Sequence, residues 1–116
     1  MIQKGKGKGI RKRGNNYEVL LAKEFRDMGF PDCCTSRYES KRKDDDKVDL
    51  CFSEPFNIQA KCKNNYGNPL PVLAEMPADE NINVVINKIV NKGEFVTMSK
   101  MDFYKMVISL KNNGLI

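Results

Sequence analysis

The chain has no histidine and no tryptophan among its 116 residues. Without histidine, Ser-His-Asp hydrolysis, imidazole acid/base chemistry and every His-containing metal site are excluded. Long hydrophobic runs are also missing: no stretch approaches the roughly 18 apolar residues of a membrane-spanning helix. The amino end is basic and glycine-rich, with no apolar stretch of the kind a signal peptide carries. Cysteine is scarce and poorly spaced for zinc. Of Cys33, Cys34, Cys51 and Cys62, the only close pair is adjacent, and its side chains would point to opposite faces of a strand. Cys51 and Cys62 lie in apolar runs and read as reduced core thiols. These absences leave a single cytoplasmic domain with no membrane partner as the expectation, large enough for one modest core.

Charge is plentiful but uneven. The chain has 20 Lys and Arg against 15 Asp and Glu, a net +5. Six of the cations (Lys4, Lys6, Lys8, Arg11, Lys12 and Arg13) fall in residues 1–13, which contain no acid, so the remaining 14 bases and 15 acids balance at −1. Residues 1–13 read as a flexible basic arm, because alternating glycines oppose regular structure and the cations repel one another. Residues 14–116 read as one domain. A basic arm suits a partner of dense negative charge, nucleic acid above all, although such a block also serves simply as a solvated tail.

After the arm, Asn15 or Asn16 is placed to cap a helix over about 15–28, with Tyr17, Leu20, Leu21, Phe25 and Met28 on one face and Gly29 at its end. Residues 32–37 read as a short strand, and 38–47 as a mobile polar loop. Residues 48–52 and 56–62 read as two strands joined by the turn Ser53-Glu54-Pro55, and so close a connection predicts a hairpin. One or two helical turns are expected near Leu70–Met76. The β-branched runs 82–89 and 94–98, separated by Asn91-Lys92-Gly93, predict a second hairpin. Ser99 and Asp102 form a capping-box-like start to a closing helix with Met101, Tyr104, Val107, Ile108 and Leu110 on one face. The expected class is α/β (α+β), a mixed sheet packed against helices.

Glu18 on the first helix, Asp49 in Val48-Asp49-Leu50, and Gln59 with Lys61 in Ile58-Gln59-Ala60-Lys61 form the constellation that carries chemistry. Residues two apart on a strand share a face, so Gln59 and Lys61 are neighbours, and a hairpin brings Asp49 beside them. Each residue also has a plainer reading. Glu18 suits the first turn of a helix, Asp49 suits an ion pair with Lys61, and Gln59 and Lys61 suit an edge strand.

The order of these pieces resembles the PD-(D/E)xK nuclease superfamily, and within it the small Holliday junction resolvases of archaeal and viral type. The likeness spans residues 11–90: Arg11-Lys12-Arg13-Gly14, Asn15-Asn16-Tyr17-Glu18, Gly29-Phe30, Thr35-Ser36-Arg37, Val48-Asp49-Leu50 and Ile58-Gln59-Ala60-Lys61. The resemblance implies a restriction-endonuclease-like fold, a mixed central sheet flanked by helices. It further implies a metal-dependent endodeoxyribonuclease that resolves four-way junctions in DNA recombination by paired nicks, as a homodimer. A viral chain would work in the host cytoplasm. Asp49 would be the central metal-binding carboxylate, Glu18 a helix-borne acid near the metal, and Lys61 the cation beside the scissile phosphate. Gln59 stands where the family usually has an acid. Its amide oxygen can still ligate Mg²⁺ or Mn²⁺ but adds no negative charge. Besides the arm, Thr35, Ser36, Arg37 and Lys63 are candidate DNA contacts, although Thr35 and Ser36 equally suit strand-end hydrogen bonds. Two other readings stand beside the resolvase: a general or nicking endonuclease of the same fold, and a noncatalytic DNA-binding module.

Overall fold

The structure, a computed structural model, describes residues 2–65 and 67–116, leaving aside the side chains of residues 2–8, 10 and 38. The chain builds an α+β fold in which a long helix packs on one face of a mixed three-stranded sheet.

Helix α1 runs Ile2–Asp27. Its carboxyl end is fixed by local chemistry. Gly29 takes φ +111°, Phe30 N donates to Phe25 O at 3.0 Å and Gly29 N to Arg26 O at 3.2 Å. The Phe25 and Phe30 rings meet at 5.4 Å. This is a Schellman ending with its usual apolar contact, and it needs glycine where the backbone turns left-handed. The amino end corrects the sequence reading, because the backbone of residues 2–14 continues the helix instead of forming an irregular arm. Extending a helix adds a hydrogen bond for each residue fixed, so an existing helix tolerates glycines that would prevent a new one. Arg13 also ties this segment to the body, donating to Asn64 Oδ1 at 2.7 Å. Asn15 and Asn16 therefore lie inside the helix and cap nothing.

Strand β1 is only Cys34–Thr35. The expected loop holds two short helices instead, α2 (Ser36–Glu39) and α3 (Lys41–Asp45), the second started by Ser40, whose hydroxyl accepts from Lys43 N. Strand β2 (Leu50–Cys51) pairs antiparallel with β1, Cys34 opposite Cys51 and Thr35 opposite Leu50. Then come β3 (Phe56–Lys63), α4 (Leu70–Glu75), β4 (Ile82–Ile89), β5 (Gly93–Thr97) and α5 (Lys100–Asn112). The second sheet has the order β3-β4-β5. β3 and β4 run parallel from Phe56 opposite Ile82 to Lys63 opposite Ile89, and β4 and β5 form the expected antiparallel hairpin.

The predicted hairpin of residues 48–52 with 56–62 does not form as a ladder. β2 pairs with β1 and β3 with β4, while a single backbone bond, Asp49 N to Ile58 O at 2.7 Å, links the two sheets at this point. Two causes are local. The Asp49 carboxylate takes the Ala60 N–H that a strand carbonyl would otherwise accept, and Phe52, at φ +60°, bends the chain out of the extended region.

Alternation along β3 sorts its side chains. Ile58 is buried in a cluster with Tyr17, Leu21, Ala22, Cys33 and Leu50, and Phe56, Ala60 and Cys62 pack against it. Asn57, Gln59, Lys61 and Lys63 project to the opposite face, where Lys61, Asn87 and Val72 of α4 line one cleft. Helix α5 starts as expected, with Asp102 N donating to Ser99 Oγ at 3.1 Å. Its apolar side chains do not cover the sheet: α5 buries no residue, and Met101, Phe103 and Ile108 are each more than half exposed. Among the described residues, no helix is long and apolar enough to cross a membrane.

Candidate functional site

Asp49 is fastened on three sides. Its N–H donates to Ile58 O at 2.7 Å, its carbonyl accepts from Ser36 N at 2.8 Å, and its Oδ2 accepts from Ala60 N at 2.8 Å. The side chain is 7% exposed. Burial pushes its carboxyl above the ordinary aspartate range, against the pull of the Ala60 N–H and the Lys61 ammonium. Oδ1 takes no part in the Ala60 bond.

Glu18 sits one residue round α1 from the core-facing Tyr17. Its Oε2 accepts from Arg37 NH1 at 2.6 Å, and the same nitrogen donates to Asn15 Oδ1 at 2.6 Å. Burial raises the Glu18 carboxyl to about 7, with the Asp49 charge the next cause, while Arg37 and Lys61 oppose the rise. The two acids therefore lie in each other's field, and Lys61 lies in the field of both.

Gln59 stands on β3 two residues before Lys61. It is 6% exposed, and its Oε1 is buried without a hydrogen-bond partner among the described residues. An unsatisfied buried amide oxygen costs on the order of 1–3 kcal/mol, so a native fold that keeps one calls for an explanation. The sheet junction, rather than a hairpin, brings Glu18, Asp49 and Lys61 into one another's field, and Gln59 precedes the Ala60 whose N–H Asp49 accepts.

Among the described residues, no group of three or more His, Cys, Asp or Glu is arranged to hold a metal. The candidate donors are two carboxylates and one amide. All three offer hard oxygens, which fit Mg²⁺ or Mn²⁺ and not a thiophilic ion. A hard cation between Glu18 and Asp49 would relieve their mutual repulsion, and the orphaned Gln59 Oε1 is an acceptor of the same hard class, so the chemistry of these donors fits such an ion.

The candidate DNA contacts divide. Arg11 and Lys12 are exposed along α1, and Lys63 is exposed at the end of β3. Arg13 is partly committed to Asn64. The side chains of Lys4, Lys6 and Lys8 lie outside the described residues. Ser36 is fully buried and its hydroxyl donates to the Val48 carbonyl, so it secures the strand that carries Asp49. Thr35 is half-buried on β1. Arg37 bonds Glu18 and Asn15, a positioning role that sequence reasoning missed because these partners stand 19 and 22 residues away. Sequence reasoning also missed a separate cavity of about 340 Å³ on the α1 side of the sheet, lined by Arg13, Asn16, Tyr17, Leu20, Cys62 and Lys88.

No protein-family model, curated protein or solved structure matches this chain.

Proposed function

We propose that the protein is a metal-dependent DNA endonuclease of restriction-endonuclease-like fold that cuts four-way junctions by paired nicks. The observation that carries this reading is that Glu18, Asp49 and Lys61 lie in one another's field, while Gln59, on the same strand as Lys61, keeps a buried Oε1 without a partner among the described residues. In this reading Glu18, Asp49 and Gln59 hold Mg²⁺ or Mn²⁺. When bound, the cation supplies Lewis-acid stabilisation of charge on the phosphate oxygens, chemistry that needs no histidine. Lys61 places a fixed ammonium beside the scissile phosphate. Arg37 holds Glu18 in place, and the Ala60 N–H fixes the Asp49 carboxylate, so the acids are oriented before substrate arrives. The cations of residues 1–13 grip backbone phosphates outside the cleft. A two-fold junction cut on two strands calls for two sites related by a two-fold axis, and hence a homodimer.

A second reading is favoured by Gln59 itself, which brings no charge where an acid would bind metal more tightly: a noncatalytic DNA-binding module. One assay separates the readings. Labelled four-way junction, linear duplex and single strand are incubated with the protein in EDTA, Mg²⁺ or Mn²⁺. Symmetrical nicks in the junction alone, dependent on metal and lost in Asp49→Asn and Lys61→Ala, support the resolvase. Cleavage of every substrate indicates a general or nicking endonuclease, and tight binding with no cutting under any metal overturns the enzymatic reading.

A further inference from the structure

Four free thiols are present, and two of them face each other. Cys34 and Cys51 are register partners on β1 and β2. Two residues along the same ladder, Ser36 N donates to Asp49 O. Antiparallel pairs alternate in type, so Cys34 and Cys51 form the next hydrogen-bonded pair, whose Cα atoms stand about 5.5 Å apart. That separation falls inside the roughly 4.4–6.8 Å that a disulfide spans. The other thiols lack this geometry. Cys33 is buried in the core cluster on the other side of β1, and Cys62 packs against that cluster from β3.

We propose that Cys34 and Cys51 form a reversible intramolecular disulfide, a modification site built into the ribbon that carries Asp49. The oxidant is a small-molecule disulfide. Cys34, the more exposed of the pair, attacks as thiolate, forming a mixed disulfide and expelling one small thiolate. Cys51, also as thiolate, attacks the Cys34 sulfur, closes the protein disulfide and expels the second. Two protein thiols are oxidised, one small disulfide is reduced to two thiols, and the two protons pass to the departing thiolates. Cys34 and Cys51 already stand opposite each other in the ladder, so closure needs rotation about side-chain bonds and little movement of the strands.

The test uses the full-length folded chain with oxidised glutathione, acid quenching, alkylation, thiol counting and peptide mapping before and after dithiothreitol. The expected result is loss of two of the four thiols, a linked peptide pair containing Cys34 and Cys51, and full recovery on reduction. Cys62→Ser closes the same bond. Cys51→Ser stops at a glutathione adduct on Cys34, and Cys34→Ser leaves the buried Cys51 unmodified. The proposal is overturned if the wild-type chain retains all four thiols, ends as a stable Cys34 adduct, or links any other pair. The wild-type map alone decides, whatever the variants do to folding.

Discussion

Asp49 Oδ2 accepts the Ala60 backbone N–H at 2.8 Å, so a side chain occupies the place of a sheet rung. Asparagine keeps an acceptor oxygen there and alanine does not. Asp49→Asn is therefore expected to fold with a stability within about 1 kcal/mol of wild type while losing metal-dependent cleavage by about 100-fold or more. Asp49→Ala is expected to lose a further 1–3 kcal/mol or so, because the Ala60 N–H is then buried without a partner. Urea melts beside cleavage rates check both. Equal stability of the two variants would show that the carboxylate does not hold the sheets together.

The Glu18 carboxyl, raised from 4.5 to about 7 chiefly by burial and then by Asp49, sets the direction of a pH effect. In the unfolded chain Glu18 loses its proton near 4.5; in the folded chain it keeps it until about 7. Its contribution to stability is thus fully present below 4.5 and is lost as pH rises through 7. Glu18→Gln removes the charge that the fold resists. The variant is expected to match wild type near pH 4.5 and to exceed it by about 1–3 kcal/mol near pH 8.5, measured by thermal or urea unfolding. Metal affinity follows the opposite course in wild type, rising as Glu18 ionises, and this rise is absent from Glu18→Gln.

The basic amino end predicts a salt effect. Deleting residues 2–12 removes Lys4, Lys6, Lys8, Arg11 and Lys12 but keeps Arg13 on Asn64. DNA binding is expected to weaken, and the slope of log K against log salt to fall by about 0.9 for each phosphate that is no longer neutralised, up to roughly 4–5. Titrations at several salt concentrations measure the slope. An unchanged slope would make the segment a solvated extension with no part in binding.

Elements set by nearby residues were legible in the sequence. Gly29 ends α1 because its neighbours close a Schellman motif, Asn91-Lys92-Gly93 turns β4 into β5, and Ser99 caps α5. Partners chosen over distance were not. The turn at residues 53–55 favours a hairpin locally, yet β3 takes β4 as its parallel neighbour, buries Ile58 against Leu50 and Leu21, and leaves β2 to β1. The apolar stripe of α5 was visible as a pattern, but a pattern does not say that a partner lies within reach. At the site, residue types and strand spacing picked out Glu18, Asp49, Gln59 and Lys61. The Arg37 bonds to Asn15 and Glu18 depend on how α2 meets α1, which no local signal in the chain records.

Gln59→Glu puts an acid at the one site position that lacks the expected charge. The new carboxylate would be buried on the strand whose Ala60 N–H holds Asp49, adding a third acid to a site where Arg37 and Lys61 are the opposing cations. Without metal the variant is therefore expected to be less stable than wild type by about 1–3 kcal/mol near pH 8, and to recover as the pH falls and the acids protonate. Mg²⁺ or Mn²⁺ reverses the order, because a third negative oxygen binds a hard cation more tightly than a neutral amide does. A saturating ion should raise the melting temperature of Gln59→Glu by more than that of wild type, in proportion to RT ln(1 + [M]/Kd). Gln59→Leu, which removes the orphaned oxygen, should lose the metal response while keeping or gaining stability in EDTA. Melting curves of the three proteins with EDTA, Mg²⁺ and Mn²⁺ check this. A metal response of Gln59→Glu no larger than that of Gln59→Leu would show that position 59 does not face a cation.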